Sequence, residues 1–284
     1  MNRLLFPTDF SDVSKQAYQY TKAFAGHLGA EISVMHTYQP TYSWRNILQM
    51  RNTSRQYYRK LEEFSREENG RVPPYVSLML RRGKPEEQIP LVSEKTDYRY
   101  IVMAKKNAYQ AFLKILGSKT TIVSANSKAP VLVLPSKMEY RSIRNILVVG
   151  GEYRLLDKTV QSHVLSLSLL FNANLHYINV NSDPVTWQYN KEILHRNNFL
   201  IQKSIPEEYA VESLFDYSHE HQMDLMVMLP KQQRLFEDLF RHGYLRYQLD
   251  KVDIPLLVFH SNYLNWMKES EKKDQIQEHS APIL

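Results

Sequence analysis

Several short apolar runs in this chain end in residues able to bind an anion or handle a proton. Leu4, Leu5 and Phe6 lead into Pro7, Thr8 and Asp9; a second run ends at His36 and Thr37; a later one ends at Ala104, Lys105, Lys106 and Asn107. Beyond these lie Gly117, Ser118, Lys119 and Thr120. A glycine flanked by hydroxyls, with backbone N–H groups at a helix N-terminus, is a ready cradle for phosphate. Binding is better supported than group transfer. No Gly-x-Ser-x-Gly elbow occurs, and no Ser, His and Asp set stands at a recognised spacing. The absence of cysteine excludes thiol catalysis, disulfides, iron–sulfur clusters and cysteine-built zinc sites. The eight glycines nowhere form Gly-x-Gly-x-x-Gly or a Walker loop. His219, His221 and Asp224 are the right residue types for a metal, but a fixed site wants three or four convergent, supported ligands. They read as a solvated helix end, and no metal is expected.

In an open parallel sheet a ligand sits beyond the carboxyl ends of the strands, where the strand order reverses. The periodicity places the residues above at such ends. Strands are expected at Leu4 to Phe6, Ile32 to His36, Val76 to Leu80, Tyr100 to Met103 and Pro130 to Leu134. Between them, residues 11–28 read as a helix with Ser11 or Asp12 as N-cap and Gly29 as its stop. Residues 43–68 read as a second helix, Pro85 opens a third, and residues 108–127 are largely helical. Strand and helix alternate, the mark of a mainly parallel sheet with helices on its faces.

The second half repeats this order. Ile146 to Val149, Leu175 to Ile178, Phe199 to Lys203, Leu225 to Met228 and Ile254 to Phe259 answer the five strands, and residues 101–135 lie over 226–260 at a constant offset of 125. The fold class expected is α/β, as two tandem doubly wound domains, each with a mainly parallel five-stranded sheet, paired within one chain. The domains span 1–138 and 142–261, followed by a polar tail over 262–284.

A length of 284 residues suits two such domains of roughly 100 to 200 residues each. Hydrophobic residues at 43% and charged residues at 23% place the chain among globular proteins. No apolar run approaches the roughly 18 residues of a membrane span, and the start meets Pro7 and Asp9 after a few apolar positions, so a cytoplasmic protein is expected. Residues 1–138 carry 21 Lys and Arg against 11 Asp and Glu, whereas 139–284 carry 15 against 19. An anionic partner for the first half is one cause of such asymmetry. Arg45, Arg51, Arg55, Arg59 and Arg66, with Trp44, Tyr57 and Tyr58 among them, are interleaved with Glu62, Glu63, Glu67 and Glu68. A solvated helix face with intrahelical ion pairs is expected there in preference to a nucleic-acid surface.

The opening Leu4-Leu5-Phe6-Pro7-Thr8-Asp9-Phe10-Ser11, the strand end Met35-His36, and Gly117-Ser118 followed by Ala129-Pro130-Val131-Leu132-Val133-Leu134 resemble the universal stress protein family. The likeness covers the first half, and the second half by repeat. The family's nucleotide-binding branch carries Gly-x-x-Gly, nine residues, then Gly and Ser or Thr. That register falls here on Ala104, Asn107, Gly117 and Ser118, so two of its three glycines are replaced. The resemblance implies an ATP site, with Mg2+ if occupied, contacted by Pro7, Asp9, Thr37, Ala104, Asn107, Gly117, Ser118 and Thr120. Where the site requires a left-handed backbone, Ala104 costs on the order of 1 to 2 kcal/mol, and Asn107 is the mildest replacement. Lys105 and Lys106 offset part of that loss if they face the phosphates.

In the second half Gly151 replaces Asp9, and Leu229, Gln232, His242 and Gly243 take the motif positions, so ATP is not expected there. The resemblance gives that domain a pairing role, Val131 to Leu134 lying antiparallel to Leu256 to Phe259 and covering two sheet edges. It leaves open a further association of two chains into a homodimer. Two functions follow as expectations: a stress-responsive module that holds an adenine nucleotide without turnover, or an interaction scaffold with no nucleotide in either half. Hydrolysis ranks behind both, because Asp9 is the only carboxylate placed at the site.

Overall fold

The computed structural model describes residues 2–39, 47–104, 127–136, 138–151, 158–180, 199–205, 210–228 and 254–259, with Tyr263 and Met267. In chain order its elements are β1 (Arg3–Pro7), α1 (Asp12–Leu28), β2 (Glu31–Tyr38), α2 (Ile47–Ser65), β3 (Val76–Arg82), α3 (Pro85–Lys95), β4 (Tyr100–Ala104), β5 (Val131–Leu134), β6 (Asn145–Gly151), α4 (Lys158–Phe171), β7 (Asn174–Val180), β8 (Phe199–Ile205), α5 (Ala210–Glu220), β9 (Leu225–Met228) and β10 (Leu256–Val258).

Local chemistry explains the boundaries. Ser11 caps α1, its hydroxyl accepting the Ser14 N–H at 3.2 Å. Gly29 ends the helix in the left-handed region at φ 58°, where a missing Cβ removes the steric cost, and its own and the following N–H close onto Gly26 and Ala25. The second half ends α4 in the same way, with Asn172 at φ 50° and bonds to Leu169 and Ser168. Helix α2 stops at Ser65, short of the expected residue 68. The chain turns there instead, Gly70 N–H donating to the Glu67 carbonyl and Asn69 accepting from Arg71 N–H. No ion pair forms along α2 among its described side chains, so its exposed Arg55 and Arg59 meet solvent rather than the expected helical partners.

The strands form one ten-stranded sheet in the order β3-β2-β1-β4-β5-β10-β9-β6-β7-β8. Every pairing is parallel except β5 with β10. Strands buried on both faces need continuous apolar runs, and β1, β5 and β9 supply them. Leu4, Phe6 and Val34 face the layer of α1, α2 and α4, whereas Leu5, Met35 and Val133 face that of α3 and α5. Two doubly wound halves thus share a single sheet.

The halves also meet through side chains. Phe24 of α1 stacks on Phe171 of α4 at 5.9 Å, and His163 of α4 lies edge-on to both Tyr100 and Phe259 at 5.4 Å. Tyr263, in the expected polar tail, is buried against Phe259. Among the described residues no helix is long and apolar enough to cross a membrane.

Candidate functional site

The chain runs from β1 outward to β2 and β3, then returns to place β4 on the other flank of β1, pairing Leu4 with Tyr100. The carboxyl ends of β1 and β4 therefore flank the reversal of strand order, where an open α/β sheet takes its ligand. Pro7 ends one and Ala104 the other.

Beyond Pro7, hydrogen bonds lock the turn. Thr8 N–H donates to the Met35 carbonyl at 2.8 Å; its buried hydroxyl lies 2.8 Å from that of Ser14 and accepts the Phe10 N–H at 3.0 Å. Asp9 is exposed, and its Oδ1 accepts the Ser11 N–H at 2.9 Å, an Asx turn that leads into α1. The second carboxylate oxygen has no hydrogen bond among the described residues. Between these anchors Phe10 is forced to φ 64°, a conformation that costs a bulky residue about 1–3 kcal/mol and persists only where neighbours over-determine it.

One of those neighbours is His36. Its Nδ1 lies 2.8 Å from the Thr8 carbonyl, which can only accept, so Nδ1 carries the proton and Nε2 is left as the acceptor of the neutral ring. Burial lowers its pKa and outweighs the upward pull of the Thr8 carbonyl and of Asp9, while Lys60 adds a smaller downward push. The rings continue outward as a ladder: Phe10 to His36 at 4.2 Å, His36 to Tyr57 at 5.0 Å, Tyr57 to Tyr38 at 5.5 Å, with the Lys60 ammonium 5.8 Å from the Tyr57 ring. The site edge combines one acid, a neutral imidazole and an aromatic wall. Such a set suits a flat, polar ligand with donor groups.

Of the predicted residues, Pro7 and Asp9 lie together at this edge. Thr37 is half-buried beside it, and strand alternation turns it to the α3 face, away from His36. Ala104 ends β4 opposite Leu134. Asn107, Gly117, Ser118 and Thr120, with Lys105 and Lys106, lie outside the described residues. Sequence reasoning missed Thr8, Phe10 and Tyr57. Thr8 was visible as a hydroxyl between Pro7 and Asp9; Tyr57 was not, because ring spacing on a helix equally suits a core.

In the second half Ile146 pairs with Leu175 and Leu225 as Leu4 does with Ile32 and Tyr100, so Thr8, Asp9 and His36 fall on Gly150, Gly151 and Asn179. A Cβ at Gly150 would collide with the Tyr177 hydroxyl. Leu229, Gln232, His242 and Gly243 lie outside the described residues. Asp224 serves architecture, its Oδ2 accepting the backbone N–H groups of Arg144 at 2.7 Å and Asn145 at 3.0 Å, and His221 stacks on Tyr217 at 4.1 Å. Among the described residues no cluster of three metal-ligating groups occurs.

The sequence of residues 1–135 matches the universal stress protein family. This half of the chain is a universal stress protein domain. The whole chain is similar in fold to a universal stress protein from Archaeoglobus fulgidus, with a TM-score of 0.60 and 18% identity, covering 91% of this chain and 98% of that one. It is also similar to a putative universal stress protein from Pseudomonas aeruginosa, with a TM-score of 0.53 and 13% identity, covering 96% of this chain and 98% of that one. At these identities the likeness concerns the fold, and it spans both halves. No curated protein matches the chain. The universal stress protein architecture thus extends over a second half whose strand ends carry different residues.

Proposed function

We propose that the universal stress protein domain holds an adenine nucleotide at the carboxyl edge of β1 and β4, and that occupancy of this site, rather than turnover, is what the protein contributes to a stress response. The observation that carries the reading is the exposed Asp9 carboxylate at the strand-order reversal, with one oxygen fixed by Ser11 and the other open. A carboxylate accepts from ribose hydroxyls or an exocyclic amine, so the donor set fits such a ligand. Gly117, Ser118 and Thr120 would meet its phosphates, and Mg2+ would accompany a triphosphate. The basic excess of the first half favours the anion. Isothermal titration with ATP and magnesium tests the reading; saturable binding supports it, and heats no larger than dilution refute it.

A second reading, an interaction scaffold empty of nucleotide, draws on Ala104 and Asn107 in place of glycines. Denaturing the freshly purified protein and identifying released small molecules separates the two, since co-purified adenine nucleotide belongs to the first alone.

A further inference from the structure

We infer that the carboxyl edge of the second half is a ligand site of its own, which takes a small uncharged molecule presenting a hydrogen-bond donor beside an acceptor, as a primary or cyclic amide does. The group that reads it is Asn179. This residue is 0% exposed, and among the described residues neither its Oδ1 nor its Nδ2 has a hydrogen-bond partner. A buried amide with both functions unmet is rare in folded proteins, because each lost its water on folding and gained nothing in return.

Its place in the fold points to a ligand. Asn179 is the penultimate residue of β7, in register with Gly150 of β6 and Ser204 of β8. Beyond β6 lies β9, so β6 and β9 flank the second reversal of strand order, the counterpart of the edge between β1 and β4. The equivalent residue in the first half, His36, spends its ring nitrogen on the Thr8 carbonyl. Asn179 makes no such bond, and Gly150 opposite it has no side chain to offer. The Tyr177 ring, two residues earlier on the same strand face, reaches over Gly150 and packs edge-on to Phe199 at 5.9 Å, giving the amide an aromatic neighbour.

Chemistry narrows the class. One edge of an Asn amide presents an N–H donor beside a carbonyl acceptor in a plane, the complement of another amide edge. Asp9 has become Gly151, so among the described residues this edge holds no carboxylate for a donor-rich sugar, and residues 139–284 carry 15 Lys and Arg against 19 Asp and Glu, which disfavours an anion.

The test uses full-length Asp9→Ala protein, which removes the first site's carboxylate without placing an amide there, and compares Asn179 variants in that background, so that the result is independent of the nucleotide reading. Uracil and nicotinamide are titrated calorimetrically, with benzoate as an aromatic control lacking the amide. Saturable binding of either amide but not of benzoate, weakened at least tenfold by Asn179→Leu with circular dichroism unchanged, is the expected result. Should Asn179→Leu not fold, Asn179→Ser carries the same comparison, since one hydroxyl cannot meet both edges of an amide. Absence of binding by both amides, the result if Asn179 holds an ordered water only, overturns the inference. So does binding that either folded variant leaves unchanged.

Discussion

Leu132 of β5 lies directly opposite Leu257 of β10, and each is the other's image under the 125-residue repeat. The flanking pairs Val131 with Val258 and Val133 with Leu256 are images of one another in the same way, so the local two-fold relating the halves passes between these two leucines. A strand pairing with its own duplicate in antiparallel register satisfies both edges at once, where two separate domains would each expose one.

Leu132 and Leu257 are 1% and 2% exposed and belong to the same core layer. Directly opposed side chains of an antiparallel pair sit close enough to share one packing site. Leu132→Ala and Leu257→Ala are each expected to cost about 2–5 kcal/mol in urea unfolding. Because they line one site, the double variant is expected to depart from additivity by about 0.5–3 kcal/mol. Additive losses would place the two leucines in independent cores.

The helix ends offer a second comparison across the repeat. Gly29 and Asn172 close α1 and α4 with the same pair of backbone bonds, at φ 58° and 50°. Giving Gly29 a side chain in that conformation, as Gly29→Ala, is expected to destabilise by about 1–2 kcal/mol. Asn172→Gly, which removes one, is expected to stabilise by up to about 1 kcal/mol. Opposite shifts in the urea midpoint check both at once.

These same residues show what was legible in advance. The strands were readable because parallel strands buried on both faces need uninterrupted apolar runs, and Leu4 to Phe6 or Val131 to Leu134 can be little else. Ser11 and Gly29 announced the ends of α1 through capping chemistry that is local in sequence. The end of α2 was misjudged because it depends on a turn built by Glu67, Asn69 and Gly70 rather than on periodicity. At the site, Asp9 was readable from its place after a strand. The ladder from Phe10 through His36 to Tyr57 was not, since it joins β1, β2 and α2 across the fold, and no spacing encodes that meeting.

At the first site Asp9→Asn keeps the acceptor for the Ser11 N–H and so preserves the turn, while removing the charge. It is expected to weaken ATP about tenfold, or about 1.4 kcal/mol, with an unchanged urea midpoint. Ser118→Ala should act in the same direction, and His242→Ala, in the second half, should leave the affinity as it was. Equal affinities in all three variants would remove the assignment.

His163 makes the seam between the halves sensitive to acid. Its Nε2 is buried without a partner among the described residues, between Tyr100 of one half and Phe259 of the other. Burial and, secondarily, the Arg99 charge lower its pKa from 6.5 to about 4. The unfolded chain therefore takes up a proton below pH 6.5 that the folded protein refuses until about pH 4. Uptake by the unfolded state alone favours unfolding, so the stability present above pH 6.5 drains away as the pH falls through that window, by about 3 kcal/mol from this residue. Replacing the imidazole by an apolar side chain, His163→Leu, removes both the orphaned nitrogen and the titration. Urea unfolding at pH 7 and pH 4 should then show a smaller acid loss in the variant, by about 3 kcal/mol. An identical loss in both proteins would mean that His163 titrates in the folded seam as it does in the unfolded chain.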